Sequence, residues 1–124
     1  MQNFDLEKYL DLARGKGADD AVIIDPSSVC TAPWVRMKCR FGCSGYGLRL
    51  SCPPHTPDYD RTRLMLDSYS RAILLHFHWA KGYKTVNSLN DAIVDLETAL
   101  FLDGFYKAFE LGCGTAGLRL HGRG

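Results

Sequence analysis

The chain has 124 residues, enough for one domain with an ordinary hydrophobic core, since a chain of this length buries roughly two-thirds of its unfolded surface. Its 46% hydrophobic and 23% charged residues match an average globular composition and exclude disorder driven by charge. Fifteen Lys and Arg against fourteen Asp and Glu leave a net charge of +1, which excludes a polybasic nucleic-acid footprint, and no apolar run approaches the length of a membrane span.

Residues 3–17 read as a short amphipathic helix capped by Asn3, with Leu6, Tyr9, Leu10 and Ala13 on one face and Gly15 and Gly17 at its end. Ala21-Val22-Ile23-Ile24 suits a buried strand, and Asp25-Pro26-Ser27-Ser28 is turn chemistry. From Trp34 to Lys38 the pattern alternates, which predicts a half-exposed strand leading into Cys39. Residues 39–57 hold three Gly and three Pro without a sustained period and read as a loop that needs something else to hold it. Thr56-Pro57-Asp58 predicts a helix start, with the helix running to about Tyr69 and Leu64, Met65 and Leu66 facing the core. Ala72 to Phe77 is apolar almost throughout and predicts a central strand. Lys81-Gly82-Tyr83 is a turn, and Ser88 with Asp91 resembles a capping box for a helix reaching about Leu111. That helix carries Leu89, Ala92, Ile93, Leu96, Ala99 and Leu100 in a stripe, with Phe101, Phe105 and Phe109 spaced four apart. The expected fold class is α+β, with α/β as the alternative: a small mixed sheet covered by helices, with a cysteine-rich loop. One domain is expected over residues 1–112, followed by a Gly-rich tail at 113–124.

The unusual feature is five cysteines, four of them within residues 30–52. Residues 1–7 lack the basic and apolar regions of a secretory signal, so the expected compartment is the cytoplasm, where structural disulfides are rare. An odd count does not close a disulfide framework, and clustered thiols in a reducing compartment point to metal or redox chemistry. Cys39, Cys43 and Cys52 form a Cys-x3-Cys-x8-Cys-Pro-Pro segment, and Cys30 extends it upstream by another x8 interval. Thiolates suit soft and borderline metals, and iron–sulfur clusters are held mainly by cysteine. Gly42, Gly45 and Gly47 let the backbone wrap a bulky centre, while Lys38, Arg40 and Arg49 would offset the charge of its thiolates. The spacing matches neither the paired C-x2-C of zinc ribbons nor the repeated C-x2-C of ferredoxins.

Trp34-Val35-Arg36-Met37-Lys38-Cys39, Gly42-Cys43, Tyr46-Gly47 and Cys52-Pro53-Pro54-His55-Thr56-Pro57 resemble the predicted metal-binding proteins of domain of unknown function 2284, found in anaerobic bacteria and archaea. Tyr69-Ser70-Arg71-Ala72 and Gly104-Phe105-Tyr106-Lys107-Ala108-Phe109 extend the resemblance, which runs from about Leu6 to Gly112. It implies metal binding without an established catalytic activity. It also implies a second cysteine-rich segment after the long helix, and in some members an association with corrinoid-dependent methyltransfer proteins. This chain departs from that pattern: after the helix it reads Leu111-Gly112-Cys113-Gly114, and the second segment is absent.

The expected ligands are Cys39, Cys43 and Cys52, with Cys30 as first and Cys113 as second candidate for the fourth, Cys113 being expected rather as a bystander thiol in the tail. His55 is weighed as a mixed-site ligand against a solvated or turn-capping loop histidine, and the latter is preferred. His76 and His78 share one face of a strand and are expected to meet solvent. Arg36, Lys38 and Arg40 serve either an anionic ligand or a solvated strand face. The leading functional reading is a cytoplasmic iron–sulfur (4Fe-4S) protein with an electron-transfer or accessory role and a redox or corrinoid methyltransfer partner. The alternative is a structural zinc module, and a reactive-thiol enzyme using Cys39 or Cys43 comes third. No Ser/His/Asp constellation, phosphate loop or H-E-x-x-H motif favours an enzyme by itself. Neither nucleic acid nor membrane is expected as a partner.

Overall fold

The computed structural model describes residues 5–48, 50, 52–78 and 83–111, with 83–90 described by backbone alone. The expected Asn3 cap, the Lys81-Gly82 turn, Arg49, Cys113 and the tail at 113–124 lie outside the described residues.

Helix α1, Glu7–Gly15, buries Tyr9, Leu10 and Ala13 on the face the sequence predicts. It ends where Gly17 turns to φ +111°, letting the Ala18 N–H reach the Ala13 carbonyl at 3.1 Å and the Gly17 N–H reach Arg14 at 3.0 Å. This left-handed step costs glycine nothing and delivers Ala18 into the core. Strand β1, Asp20–Ile24, follows, and Arg14 donates back to the Ala21 carbonyl at 2.9 Å. The expected turn is a short 3-10 segment, Pro26–Ser28, capped by the Asp25 carboxylate, which accepts from the Ser27 N–H at 2.9 Å. That bond holds the Asp25 carboxyl below the usual aspartate range.

The segment expected as a strand, Trp34 to Lys38, is instead part of helix α2, Pro33–Gly42. Pro33 occupies the first turn after an extended Ala32, where its fixed φ fits and its missing N–H costs nothing. Five alternating residues fit either period. The longer register decides: Trp34, Met37, Lys38 and Phe41 fall at i, i+3, i+4 and i+7, a helical stripe.

Helix α3, Tyr59–Asp67, starts two residues later than expected because Asp58 takes the cap, accepting from the Tyr59 N–H at 2.8 Å. Of its predicted core residues Leu66 is buried, Met65 is half-buried and Leu64 is exposed. Strand β2, Ala72–His76, pairs antiparallel with β1, and the Asp19 N–H reaches the His76 carbonyl at 2.8 Å. The described sheet has two strands, so β2 is not central. Ile73, Leu75 and Phe77 pack on the core while Leu74, His76 and His78 face outward. His76 and His78 are exposed as expected, with ring centroids 6.5 Å apart.

Helix α4, Tyr83–Leu102, begins five residues before Ser88. It buries Ala92 and Leu96, with Ala99 and Leu100 packed against the core, as the stripe predicts. It stops well short of Leu111. Gly104 at φ +105° turns the chain so that the Phe105 N–H reaches the Leu100 carbonyl at 2.9 Å. Phe105 is thereby removed from the expected helical stripe and meets the Tyr9 ring edge-on, 6.0 Å between centroids.

Four helices and a two-strand antiparallel sheet make the described fold a small α+β one, as expected. No described helix is long and apolar enough to cross a membrane. The described chain divides by contact into two compact units, residues 5–22 with 73–111 and residues 23–72. The first contains the hydrophobic cluster of Tyr9, Leu10, Ala13, Ala18, Ala21 and Leu96. Burying each of its large side chains contributes about 1.5–3 kcal/mol. The second carries the four described cysteines.

Candidate metal centre

The cysteine segment begins on α2. Cys39 lies in its last turn and Cys43 caps its end, with the Cys43 N–H donating to the Cys39 carbonyl at 3.2 Å. The x3 interval is therefore a helical i, i+4 relation, which sets the two residues one above the other on a single face. Both are half-buried.

Beyond Cys43 the chain turns back on itself. The Tyr46 N–H donates to the Cys43 carbonyl at 3.2 Å and the Leu48 N–H to Gly45 at 3.1 Å. Gly47, at φ +75°, directs its N–H to the Pro53 carbonyl at 2.8 Å. A side chain at Gly47 would be strained by that φ, and its Cβ would lie 4.0 Å from Pro54. Cys52 precedes these prolines, of which Pro53-Pro54 is joined by a cis bond, and is 4% exposed. The His55 N–H donates to the Cys52 carbonyl at 3.0 Å, and its ring Nε2 donates to the Gly47 carbonyl at 3.3 Å. His55 thus closes a turn, one of the two roles preferred for it over ligation. The Cys43 turn and the Cys52 loop are joined on both sides of Gly47.

Two arginines secure the surroundings. Arg36 on α2 donates to the carbonyls of Thr56 at 2.9 Å and Pro57 at 2.7 Å, and pairs with Asp58 at 3.2 Å. It is a staple between α2 and the start of α3, on a helix and not on the strand face expected for it. Arg63 on α3 pairs with Asp67 at 2.9 Å, donates to Pro26 at 2.9 Å and also donates to the Val29 carbonyl. It anchors the chain immediately before Cys30, which is exposed. Sequence reasoning missed both roles: the Arg63–Asp67 pair is visible as an i, i+4 spacing, but carbonyl acceptors leave no mark in a sequence. Lys38 lies over the Trp34 ring at 5.2 Å, and Arg40 sits 5.7 Å from Phe41 and 5.8 Å from Tyr46.

The donor chemistry suits a soft or borderline metal: two thiols on one helical face and a third on a loop tied to the same turn. The described geometry is open. Among the described residues no three His, Cys, Asp or Glu side chains gather around a point where they could hold a metal ion. Cys39 and Cys43 are joined by a backbone hydrogen bond, the Cys52 loop is tied to the Cys43 turn at Gly47, and no described contact brings Cys30 to them.

Compared with known proteins, the chain matches neither a curated protein nor a solved structure. One family model, described as predicted metal-binding protein (DUF2284), matches residues 22–118, a span containing all five cysteines. The chain belongs to this family of predicted metal-binding proteins.

Proposed function

We propose that the chain binds an iron–sulfur cluster through Cys39, Cys43 and Cys52, with Cys30 as fourth ligand, and serves as an electron carrier or accessory to a redox or corrinoid methyltransfer partner. The observation carrying this reading is the double tie between the Cys43 turn and the Cys52 loop, by the Gly47 N–H to Pro53 and the His55 ring to Gly47. Those bonds hold two thiol-bearing loops together without consuming a sulfur. The open arrangement is compatible with metal binding that completes local folding, since ligand thiols are drawn in as the metal arrives.

A second reading, a structural zinc module, is favoured by the few buried apolar side chains of residues 23–72, since small units short of core recruit a metal as a staple. Iron and acid-labile sulfide measured on anaerobically purified protein separate the two. Stoichiometric iron with sulfide is expected; zinc without sulfide would establish the second reading instead. Cys39→Ser, Cys43→Ser and Cys52→Ser should each lose most of the metal. Full metal content in all three would refute the ligand assignment. Cys30→Ser tests the fourth position separately.

A further inference from the structure

Helix α2 buries none of its residues. Trp34, Met37 and Phe41 are 54%, 49% and 79% exposed, and with Lys38 and Gly42 they form an open strip along one face of the helix. The stripe runs two turns, about 10 Å. Scattered exposed apolar residues need no explanation, but a contiguous strip edged by charge marks an interaction surface. The charge here has one sign: Pro33–Gly42 carries Arg36, Lys38 and Arg40 and no acidic residue. Arg36 is engaged by Asp58, while Lys38 and Arg40 stack over Trp34, Phe41 and Tyr46 at the margins of the strip.

We propose that this helix face docks an acidic amphipathic helix of a partner protein, its leucine or phenylalanine edge along Trp34, Met37 and Phe41 and its carboxylates against Lys38 and Arg40. Trp34, Met37 and Phe41 stand at i, i+3 and i+7 of α2, an apolar edge of the kind that packs face to face against a second amphipathic helix, as in zipper pairs. Charge complementarity selects the occupant. A second copy of this face would set Lys38 and Arg40 against themselves, and residues 112–124 carry Arg119 and Arg123 and no acid. Anionic membranes and nucleic acids draw on clusters of about four or more cations, whereas two match the carboxylates along one helix face. The inference rests on exposure and charge and does not require the metal.

The test titrates full-length protein, with Trp79→Phe so that Trp34 alone reports, against a synthetic Leu/Glu amphipathic helix of about five turns. Saturable binding is expected with a blue shift of Trp34 emission, weakening as salt rises. Phe41→Ala should weaken it about tenfold, a loss of about 1.4 kcal/mol. The Lys38→Glu, Arg40→Glu double variant, checked for helix content, should lose the acidic peptide and gain its Leu/Lys counterpart. The proposal is overturned by absence of peptide binding, by equal binding of both peptides, or by preference for phosphatidylglycerol vesicles or oligo-dT. Self-association that protects Trp34 would also overturn it.

Discussion

In the unit formed by residues 5–22 and 73–111, Tyr9, Leu10, Ala13, Ala21 and Leu96 are withdrawn from water and touch one another across α1, β1 and α4. In residues 23–72, Pro26, Gly45, Cys52 and Leu66 are the buried positions among the described residues, and none of them belongs to that cluster. There the order comes from directed bonds: Arg63 to the carbonyls of Pro26 and Val29, Arg36 to those of Thr56 and Pro57, and Gly47 to Pro53. Apolar burial is non-directional and tolerates small shifts. Hydrogen-bonded staples fix particular points of the chain and leave the intervals between them to adjust. The thiols lie in those intervals. A unit built this way can hold its loops near one another and still rearrange around a metal, which a close-packed core resists.

The sharpest way to break this contrast is to damage the core. Leu96→Ala should cost about 2–5 kcal/mol in urea or thermal unfolding, a large part of a marginal protein's stability. Hydrogen exchange should then rise most across α1, β2 and α4. Equal loss of protection over residues 26–67 would show that the two units unfold as one and that the contrast is structural but not energetic.

Removing a staple should act at the other place. Arg63→Ala deletes donors to Pro26 and Val29 and the pair with Asp67, at a cost of about 2 kcal/mol for hydrogen bonds made by a charged group. Exchange at residues 26–30 and along α3 should speed up while α1 stays protected. Arg63→Lys should recover little, because an ammonium lacks the planar fork that serves two carbonyls and a carboxylate together.

The same contrast explains what could be read from the sequence. The core unit was legible: the Tyr9, Leu10, Ala13 face, the Ala92, Leu96, Ala99 stripe and the glycine stop after α1 all follow from periodicity and the need to bury apolar surface. Where the sequence misled, a local pattern supported two answers. Trp34 to Lys38 alternates over five residues, yet Pro33, the i, i+7 relation of Trp34 and Phe41, and the x3 interval of Cys39 and Cys43 belong to a helix. Ser88 resembles a cap but lies inside a helix that has already begun. Phe101, Phe105 and Phe109 keep helical spacing, but Gly104 interrupts the helix between them. The cysteine motif and its family were legible from residue types and spacing. The ties around Gly47 were not, because backbone donors and acceptors are the same in every sequence.

Gly47→Ala tests those ties. A non-glycine residue in the left-handed region costs roughly 1–2 kcal/mol, and the space beside Gly47 is otherwise ordinary, with Pro54 at 4.0 Å. Global stability should fall by about that amount. Metal affinity should fall with it, since a chain that relieves this strain by leaving the left-handed region turns the residue 47 N–H away from the Pro53 carbonyl. Wild-type affinity in a folded Gly47→Ala protein would mean that the metal gathers the thiols without help from the tie.

The smallest expected effect lies at the margin of the core and appears only in acid. The Tyr9 hydroxyl donates to the Asp103 carboxylate at 2.7 Å, and Lys8 pairs with the same group at 3.1 Å. The Tyr9 bond first, and Lys8 after it, hold the Asp103 carboxyl below its ordinary value. A carboxyl lowered in the folded state stabilises the protein fully above its unfolded value and loses that contribution as pH falls through the folded one. Stability should therefore decline below about pH 4, the ordinary aspartate value, as Asp103 takes up its proton. Tyr9→Phe keeps the ring against Phe105 but removes the larger cause of the shift. Its unfolding midpoint should be lower at neutral pH and fall less steeply in acid than that of the parent. Parallel acid curves for the two proteins would show that this bond adds nothing to the edge of the core.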